Sequence, residues 1–200
     1  MTLPAPYFDR MYAAGPDPWG FRDRWYEQRK RALTLAALPR PRFRRVFEPG
    51  CSLGVLSAEL ARRCDDLWAC DVSAAAVGAC AERLRGFPHA TVWHGAVPGQ
   101  WPTGSFDLVV LSEVAYYLSP EDLDRLAHRT LAALDDDGVV LACHWRHPVP
   151  DYPRTGDDAH AHLGAAFADL TRLVRHEEAD LLLEVWARDP RSVAQREGLT

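Results

Sequence analysis

The sequence predicts an α/β fold: a doubly wound, mostly parallel sheet of seven strands, closed by a C-terminal antiparallel hairpin. Three observations carry this expectation. Short apolar runs alternate with segments of helical periodicity from Arg45 onward. A glycine-bearing turn follows the first run, and an aspartate ends the second. The last two runs are only three residues apart, room for a hairpin and nothing longer.

The elements follow in order. Arg45–Pro49 is a short apolar strand ending at Gly50. Leu53, Leu56 and Leu60 recur at helical spacing, so a helix runs to about Arg63. Asp66–Asp71 is the second strand, and Ser73 can cap a helix that runs to about Leu84. Thr91–His94 is a third, short strand, and Phe106–Glu113 is the clearest one. Ser119-Pro120-Glu121-Asp122 reads as a helix start, with serine as N-cap, proline in the first turn and acids at the positive end of the dipole. That helix ends near Leu134, and Asp137-Gly138 is expected to turn the chain into the strand Val139–Trp145. After a proline-rich loop, Thr155 starts a helix to about Leu170. The strands Thr171–Glu177 and Leu181–Arg188 form the hairpin, and the last dozen residues read as a loose tail. Upstream, Tyr26 and Lys30 share one helix face, and Asp17-Pro18-Trp19 is a stiff entry to that helix. The expected division is therefore a helical cap over 1–43, a core over 44–188 and a tail over 189–200.

Composition bounds the function. With 48% hydrophobic and 26% charged residues, the 200-residue chain reads as one soluble domain rather than a disordered or fibrous protein. The longest stretch without charges or prolines, Val72 to Ala81, is too short to span a bilayer, so no membrane partner is expected. The N-terminus lacks the pattern of a secretory signal. Five cysteines without a C-x-x-C pair suit reduced thiols in the cytoplasm, packed as small core residues. His144, His147, His160 and His162 are not interleaved with acids at ligand spacing, so no metal site is expected.

Charge is uneven along the chain. Residues 1–45 carry a net +6 and the remainder a net −11. The basic arm invites a nucleic-acid reading, whereas the acidic body favours cationic small molecules. Arg40, Arg42, Arg44 and Arg45 are read as a solvated approach to the first strand. Lys30 is the only lysine.

In doubly wound sheets ligands bind beyond the C-terminal strand ends. The residues to read are therefore Gly50–Gly54, Asp71–Ser73, Gly95–Pro98, Ser112–Tyr117 and His144–His147. The first turn reads Glu48-Pro49-Gly50-Cys51-Ser52-Leu53-Gly54, and Asp71 stands twenty-one residues after Gly50. A carboxylate there can accept both hydroxyls of a ribose. The dinucleotide fingerprint fails, because Ser52 and Val55 stand where its second and third glycines belong. Glu48 would repel a pyrophosphate but suits an ammonium or a sulfonium. A nicotinamide oxidoreductase is the weakest reading for these reasons.

This turn resembles the first motif of the class I S-adenosylmethionine-dependent methyltransferases, whose Rossmann-like fold the resemblance implies over residues 44–188. The resemblance assigns the cofactor, which leaves as S-adenosylhomocysteine, to Glu48, Gly50, Gly54, Asp71, Val72, Ala96, Val97 and Ser112. One position departs. Such enzymes often carry an acid after the third strand that reads adenine, and Gly95-Ala96-Val97-Pro98 has alanine there. Asp17-Pro18-Trp19, Tyr26, Lys30 and Ser112-Glu113-Val114 with Tyr116-Tyr117-Leu118 further resemble the nodulation protein S group. That group consists of N-methyltransferases acting on a free oligosaccharide amine. The N-terminal helix of the class often closes over the cofactor, which implies that Trp19 and Tyr26 cover it and that Arg29 or Lys30 meets its carboxylate. An amphipathic helix packed on the sheet through Trp25 and Leu33 is the other reading of that segment.

Two residues are candidates for catalysis. Glu113 ends the fourth strand and either binds or deprotonates an amine, or pairs structurally. His144 ends the fifth and is either a general base or a hydrogen-bonded wall residue. Tyr116, Tyr117, Arg146, His147 and His160 are candidates for holding the acceptor, the tyrosine faces through cation–π attraction. The leading function is methyl transfer to a small amine, aminosugar-like in the resemblance. O-methylation of a small metabolite, nucleic-acid methylation and non-catalytic cofactor binding are the alternatives. Ser112-Glu113-Val114-Ala115 in place of [D/N]-P-P-[Y/F] argues against base methylation.

Overall fold

A computed structural model describes residues 1–200. Seven strands form one sheet in the order β3-β2-β1-β4-β5-β7-β6. They are β1 (Phe43–Pro49), β2 (Cys64–Asp71), β3 (Ala90–His94), β4 (Phe106–Ser112), β5 (Leu134–Trp145), β6 (Thr171–Glu177) and β7 (Leu181–Ala187). The first five run parallel, and β7 lies antiparallel between β5 and β6. The expected sheet and its closing hairpin are therefore present.

Alternation along β4 explains why helices cover both faces. Leu108 and Val110 belong to one apolar cluster, and Val109 and Leu111 belong to the other. The helices α3 (Val55–Ala61) and α4 (Ala74–Arg83) contribute to the first. The helices α5 (Pro120–Ala132) and α6 (Gly156–Ala166) contribute to the second. All five cysteines are free and buried. No helix is long and apolar enough to cross a membrane.

Three local expectations are corrected. Asp137-Gly138 does not turn the chain into β5, because the strand already starts at Leu134. The register slips instead, Phe106 facing Leu134 while Leu108 faces Val139, so a bulge absorbs the turn-prone residues. The arginines at the start of β1 are not simply a solvated approach: Arg42 and Arg44 are exposed, yet all four are ion-paired. Arg40 pairs with Asp137 at 2.7 Å, Arg42 with Asp65 at 2.6 Å, Arg44 with Asp137 at 2.9 Å and Arg45 with Asp66 at 2.9 Å. Much of the basic arm is thus neutralised by acids of the body. The tail is not wholly loose either, since Ser192 and Gln195 close a capping box on α7 (Val193–Arg196).

The N-terminal segment covers the C-terminal ends of the strands. It contains α1 (Ala5–Ala14), which the sequence reading missed, and α2 (Trp25–Ala36). Tyr12 shares a 2.6 Å hydrogen bond with Ser52, and the Leu3 N–H donates to the Tyr117 carbonyl at 2.9 Å. The Asp17 carboxylate accepts the N–H groups of Phe21 and Arg22, which stiffens the entry to α2. Helix α2 buries Glu27, Lys30 and Thr34, at i, i+3 and i+7. Trp25 is 73% exposed, so it does not pack on the sheet, whereas Leu33 does meet the core.

Candidate active site

The turn after β1 is shaped by close approaches. Gly50 has φ 74°, and a Cβ there would lie 2.4 Å from Val114 Cγ2. Gly54 has φ 70°, and its Cβ would meet Cys80 Sγ at 2.7 Å. Both positions need glycine for conformation and for space. Ser52 adopts φ 48° between them, an uncommon conformation for a residue with a side chain. Its N–H donates to Asp71 Oδ2 at 2.9 Å, which ties the strained turn to the end of β2.

Asp71 is left with matched acceptor capacity. Oδ2 takes the Ser52 N–H and Oδ1 takes the Ser73 N–H, each at 2.9 Å. A carboxylate has about four acceptor positions, so one remains free on each oxygen, suited to two neighbouring hydroxyls. Burial pushes the Asp71 carboxyl pKa up, and the backbone N–H donors at Ser73 and Ser52 oppose that shift. Asp71 lines a cleft of about 120 Å³ with Gly50, Val72, Ala96 and Val97, over which Tyr12 and Trp19 close. The backbone of Ala96 is already occupied: its N–H donates to Gln100 Oε1 at 2.8 Å and its carbonyl accepts the Gln100 N–H at 2.8 Å.

A smaller cavity of about 60 Å³ continues from the cleft along Ser52, past Glu48 and Ser112 to α2. Glu48 is buried, and its Oε2 has no hydrogen-bond partner. Burial pushes its pKa up to about 8, against the pull of the Ser57 hydroxyl. Arg31 lines this cavity too, and its Nη1 donates to the Phe21 carbonyl at 2.6 Å.

A third cavity of about 480 Å³ opens beyond them. Trp19, Phe21, Tyr26, Tyr116, Tyr117, Trp145 and Tyr152 give it an aromatic lining. Glu113 lines all three cavities. Its φ is 56°, a strained conformation of the kind that clusters at functional sites. Glu113 Oε1 accepts from Lys30 Nζ at 2.6 Å. Oε2 accepts from the Tyr116 hydroxyl and from the Trp145 N–H at 3.1 Å. One acceptor position therefore remains, on Oε1. Lys30 also meets Glu27 at 2.9 Å and is only 5% exposed. Burial works against the lysine's charge, but Glu113 and Glu27 together hold its pKa above the ordinary value. Two carboxylates and one ammonium leave a net −1 at the junction of the cavities when all three are ionised.

Several candidate residues lie elsewhere. His144 is fully buried, and both ring nitrogens are bonded within the protein. Burial, then His160 and Lys30, push its pKa well below the ordinary value. It lines none of the three cavities, so it is not a base that a bound substrate can reach. His160 is buried behind it, on Glu184. Arg146 pairs with Asp157 at 2.7 Å and Glu177 at 3.0 Å, away from the cavities. His147 pairs with Asp180 at 2.7 Å, and only Asp180 reaches the aromatic cavity. Gly54 packs under α4 and lines none of the three cavities. Tyr26 lines the aromatic cavity rather than the cleft beside Asp71. Arg29 points away to Glu178 at 2.6 Å, and Lys30 is held by its two carboxylates, so neither cation is free for a ligand carboxylate. Arg31, which the sequence reading passed over, has no carboxylate partner and faces the small cavity. Its signal was helical phase: Arg31 follows Glu27 by four residues, on the buried face of α2.

The arrangement is a cleft whose Asp71 can accept two neighbouring hydroxyls, joined to a wider aromatic chamber. A family described as a methyltransferase domain matches residues 46–138. A crystal structure of a "putative methyltransferase" from Pseudomonas syringae is 53% identical, covering 82% of this chain and all of that one, with a TM-score of 0.74. The chain belongs to the class I S-adenosylmethionine-dependent methyltransferases. Within that class it is similar to nodulation protein S. It is 30% identical over 131 residues to the protein from Sinorhizobium fredii, covering 64% of this chain and 60% of that one. The chain covers a smaller share of the other curated relatives it matches. The structure of N-methyltransferase NodS from Bradyrhizobium japonicum with S-adenosylhomocysteine shares the fold, with 22% identity, 94% and 98% coverage and a TM-score of 0.78.

The residues fit the cofactor of the class. Asp71 has two spare acceptor positions, Gly50 leaves a cradle that a Cβ would fill, and Glu48 presents an orphaned buried oxygen. S-adenosylmethionine supplies an already activated methyl group on a sulfonium.

Proposed function

We propose that the protein transfers a methyl group to the nitrogen of a small-molecule amine, aminosugar-like in character, in the cytoplasm. The observation that carries this reading is the buried Glu27–Lys30–Glu113 cluster, two carboxyl groups around one ammonium, with one open acceptor position on Glu113. It stands where the cofactor cleft meets the aromatic chamber. A negative junction favours a cationic group entering from solvent, and tyrosine and tryptophan faces add cation–π attraction. An amine attacks only as the neutral base, so its ammonium proton passes to solvent water at the open mouth of the chamber before transfer. Glu113 accepts a remaining N–H and so aims the lone pair, while the aromatic walls exclude water. Asp71 holds the ribose hydroxyls, Arg31 meets the carboxylate of the methionine moiety and Glu48 faces its ammonium. Segment 1–43 acts as the lid over both cavities. The five free buried thiols support a reducing compartment.

A labelled-methyl screen tests the reading. Aminosugars, chitosan oligomers and polyamines are offered beside hydroxylated analogues that lack nitrogen. Methyl transfer to amines alone is the expected outcome. Transfer only to the oxygen analogues would make the protein an O-methyltransferase and end the nitrogen assignment.

A further inference from the structure

We propose that His144, His160 and Glu184 form a buried relay that positions Glu113, by fixing the tautomer of His144 and through it the left-handed turn that carries the Glu113 carboxylate. The inference rests on the reading of Glu113 as the acceptor-binding group.

The proton order in the relay is fully determined. His144 Nε2 faces two backbone donors, the N–H of Ala115 at 3.0 Å and that of Val114 at 3.3 Å. Nε2 therefore carries no proton, and the neutral ring bears its hydrogen on Nδ1. That N–H donates to His160 Nε2 at 3.0 Å. His160 must then carry its own hydrogen on Nδ1, which donates to Glu184 Oε2 at 2.8 Å. Glu184 Oε1 accepts from Arg172 at 3.0 Å and Arg175 at 3.1 Å, which anchors the chain at the sheet edge. His144, His160 and Glu184 are 0%, 2% and 1% exposed. If the hydrogen moved to Nε2, an N–H would point at two other N–H groups, and both bonds would be lost.

The fold builds this contact on purpose-made geometry. Gly156 opens α6 directly against the end of β5, where a Cβ would lie 2.2 Å from the Trp145 carbonyl oxygen and 3.2 Å from His144 Cβ. His160 follows one helical turn later, on the same face, and so meets His144. Glu184 stands opposite Ala142 on β7, two residues before His144 along β5 and on the same side of the sheet.

The far end of the relay is the turn after β4. Glu113 is not glycine, yet it holds φ 56°. Such a conformation persists only where the surroundings over-determine it. The surroundings here are few. Glu113 N–H donates to the Cys143 carbonyl at 2.9 Å, and the next two N–H groups are the ones held by His144. The Tyr116 ring packs edge-on to His144 at 5.1 Å while its hydroxyl holds Glu113. His144 thus acts on the carboxylate through both the backbone and Tyr116.

Two variants and one spectrum test the relay. His160→Phe fills the space but cannot accept from His144, whereas His160→Gln keeps one acceptor and one donor. In His160→Phe, amide exchange at Val114 and Ala115 should rise about tenfold beyond any rise at Val109 and Leu111. With a chitosan oligomer as acceptor, kcat should fall about 10- to 100-fold while S-adenosylhomocysteine affinity stays within about twofold. His160→Gln should restore protection and most of kcat. A His160→Phe protein with wild-type exchange at Val114 and Ala115 overturns the relay, as does equal loss in both variants. Should His160→Phe fail to fold, nitrogen-15 spectra of the wild type decide. His144 protonated on Nδ1 alone at neutral pH supports the relay, and a proton on Nε2 refutes it. Unchanged turnover in Glu113→Gln would instead remove the reading of Glu113, a separate failure.

Discussion

Replacing Glu48 by glutamine should make the protein more stable, and increasingly so as pH rises. Glu48 is fully buried in the unliganded chain, one oxygen has no partner, and its pKa is pushed up to about 8 from an ordinary 4.5. An acid with a raised folded pKa contributes stability that is fully present below the unfolded value and is lost as pH rises through the folded one. Each pKa unit corresponds to about 1.4 kcal/mol. The loss should therefore approach about 5 kcal/mol between pH 4.5 and 8, and most of it is reached by pH 7. Glutamine has the shape of the protonated acid and cannot ionise. Urea unfolding of both proteins at pH 5, 6, 7 and 8, without ligand, reads the difference directly. The Glu48→Gln advantage should grow by about 1.4 kcal/mol per pH unit and level off above pH 8. Parallel stability profiles for the two proteins would refute the reasoning, since Glu48 would then titrate alike folded and unfolded.

The remaining expectations concern the site. Arg31→Gln should weaken S-adenosylhomocysteine binding by about tenfold in calorimetry, the loss of one charge-assisted bond, while Arg29→Gln leaves it within about twofold. Gly50→Ala should lower affinity by at least about tenfold and stability by about 1–3 kcal/mol, because the new methyl meets Val114 Cγ2 at 2.4 Å. Glu113→Gln should lower kcat about 100-fold in a labelled-methyl assay while cofactor affinity is nearly kept.

Residues whose role is set by the backbone were legible in the sequence. Gly50 and Asp71 stand at a fixed offset because a turn, a helix and a strand must fit between them. Glu113 was legible as a polar end on an apolar strand, although its left-handed turn was not. The errors have two geometric sources. Side chains alternate along a strand, so Trp145 lines the aromatic chamber while His144 points to the opposite face. On α2, Lys30 and Arg31 both line the small cavity, and sequence spacing alone did not settle that Lys30 is taken up by two carboxylates while Arg31 is not. A third source is distance along the chain. Arg40 and Arg44 find Asp107, Asp135 and Asp137 only once β4 is placed beside β1 and β5 beside β4. The charge asymmetry that suggested a nucleic-acid handle is largely an internal balance.

Calorimetric titration of S-adenosylhomocysteine into the wild type and Asp71→Ala tests the central assignment most directly, with circular dichroism to establish that both are folded. Asp71 offers one open acceptor position on each oxygen, so losing two charge-assisted bonds should cost about 3 kcal/mol, a weakening of roughly 100-fold. Saturable binding by the wild type with that loss in the variant is the expected result. No binding by the wild type, or equal affinity in both proteins, would contradict the placement of the cofactor in this cleft.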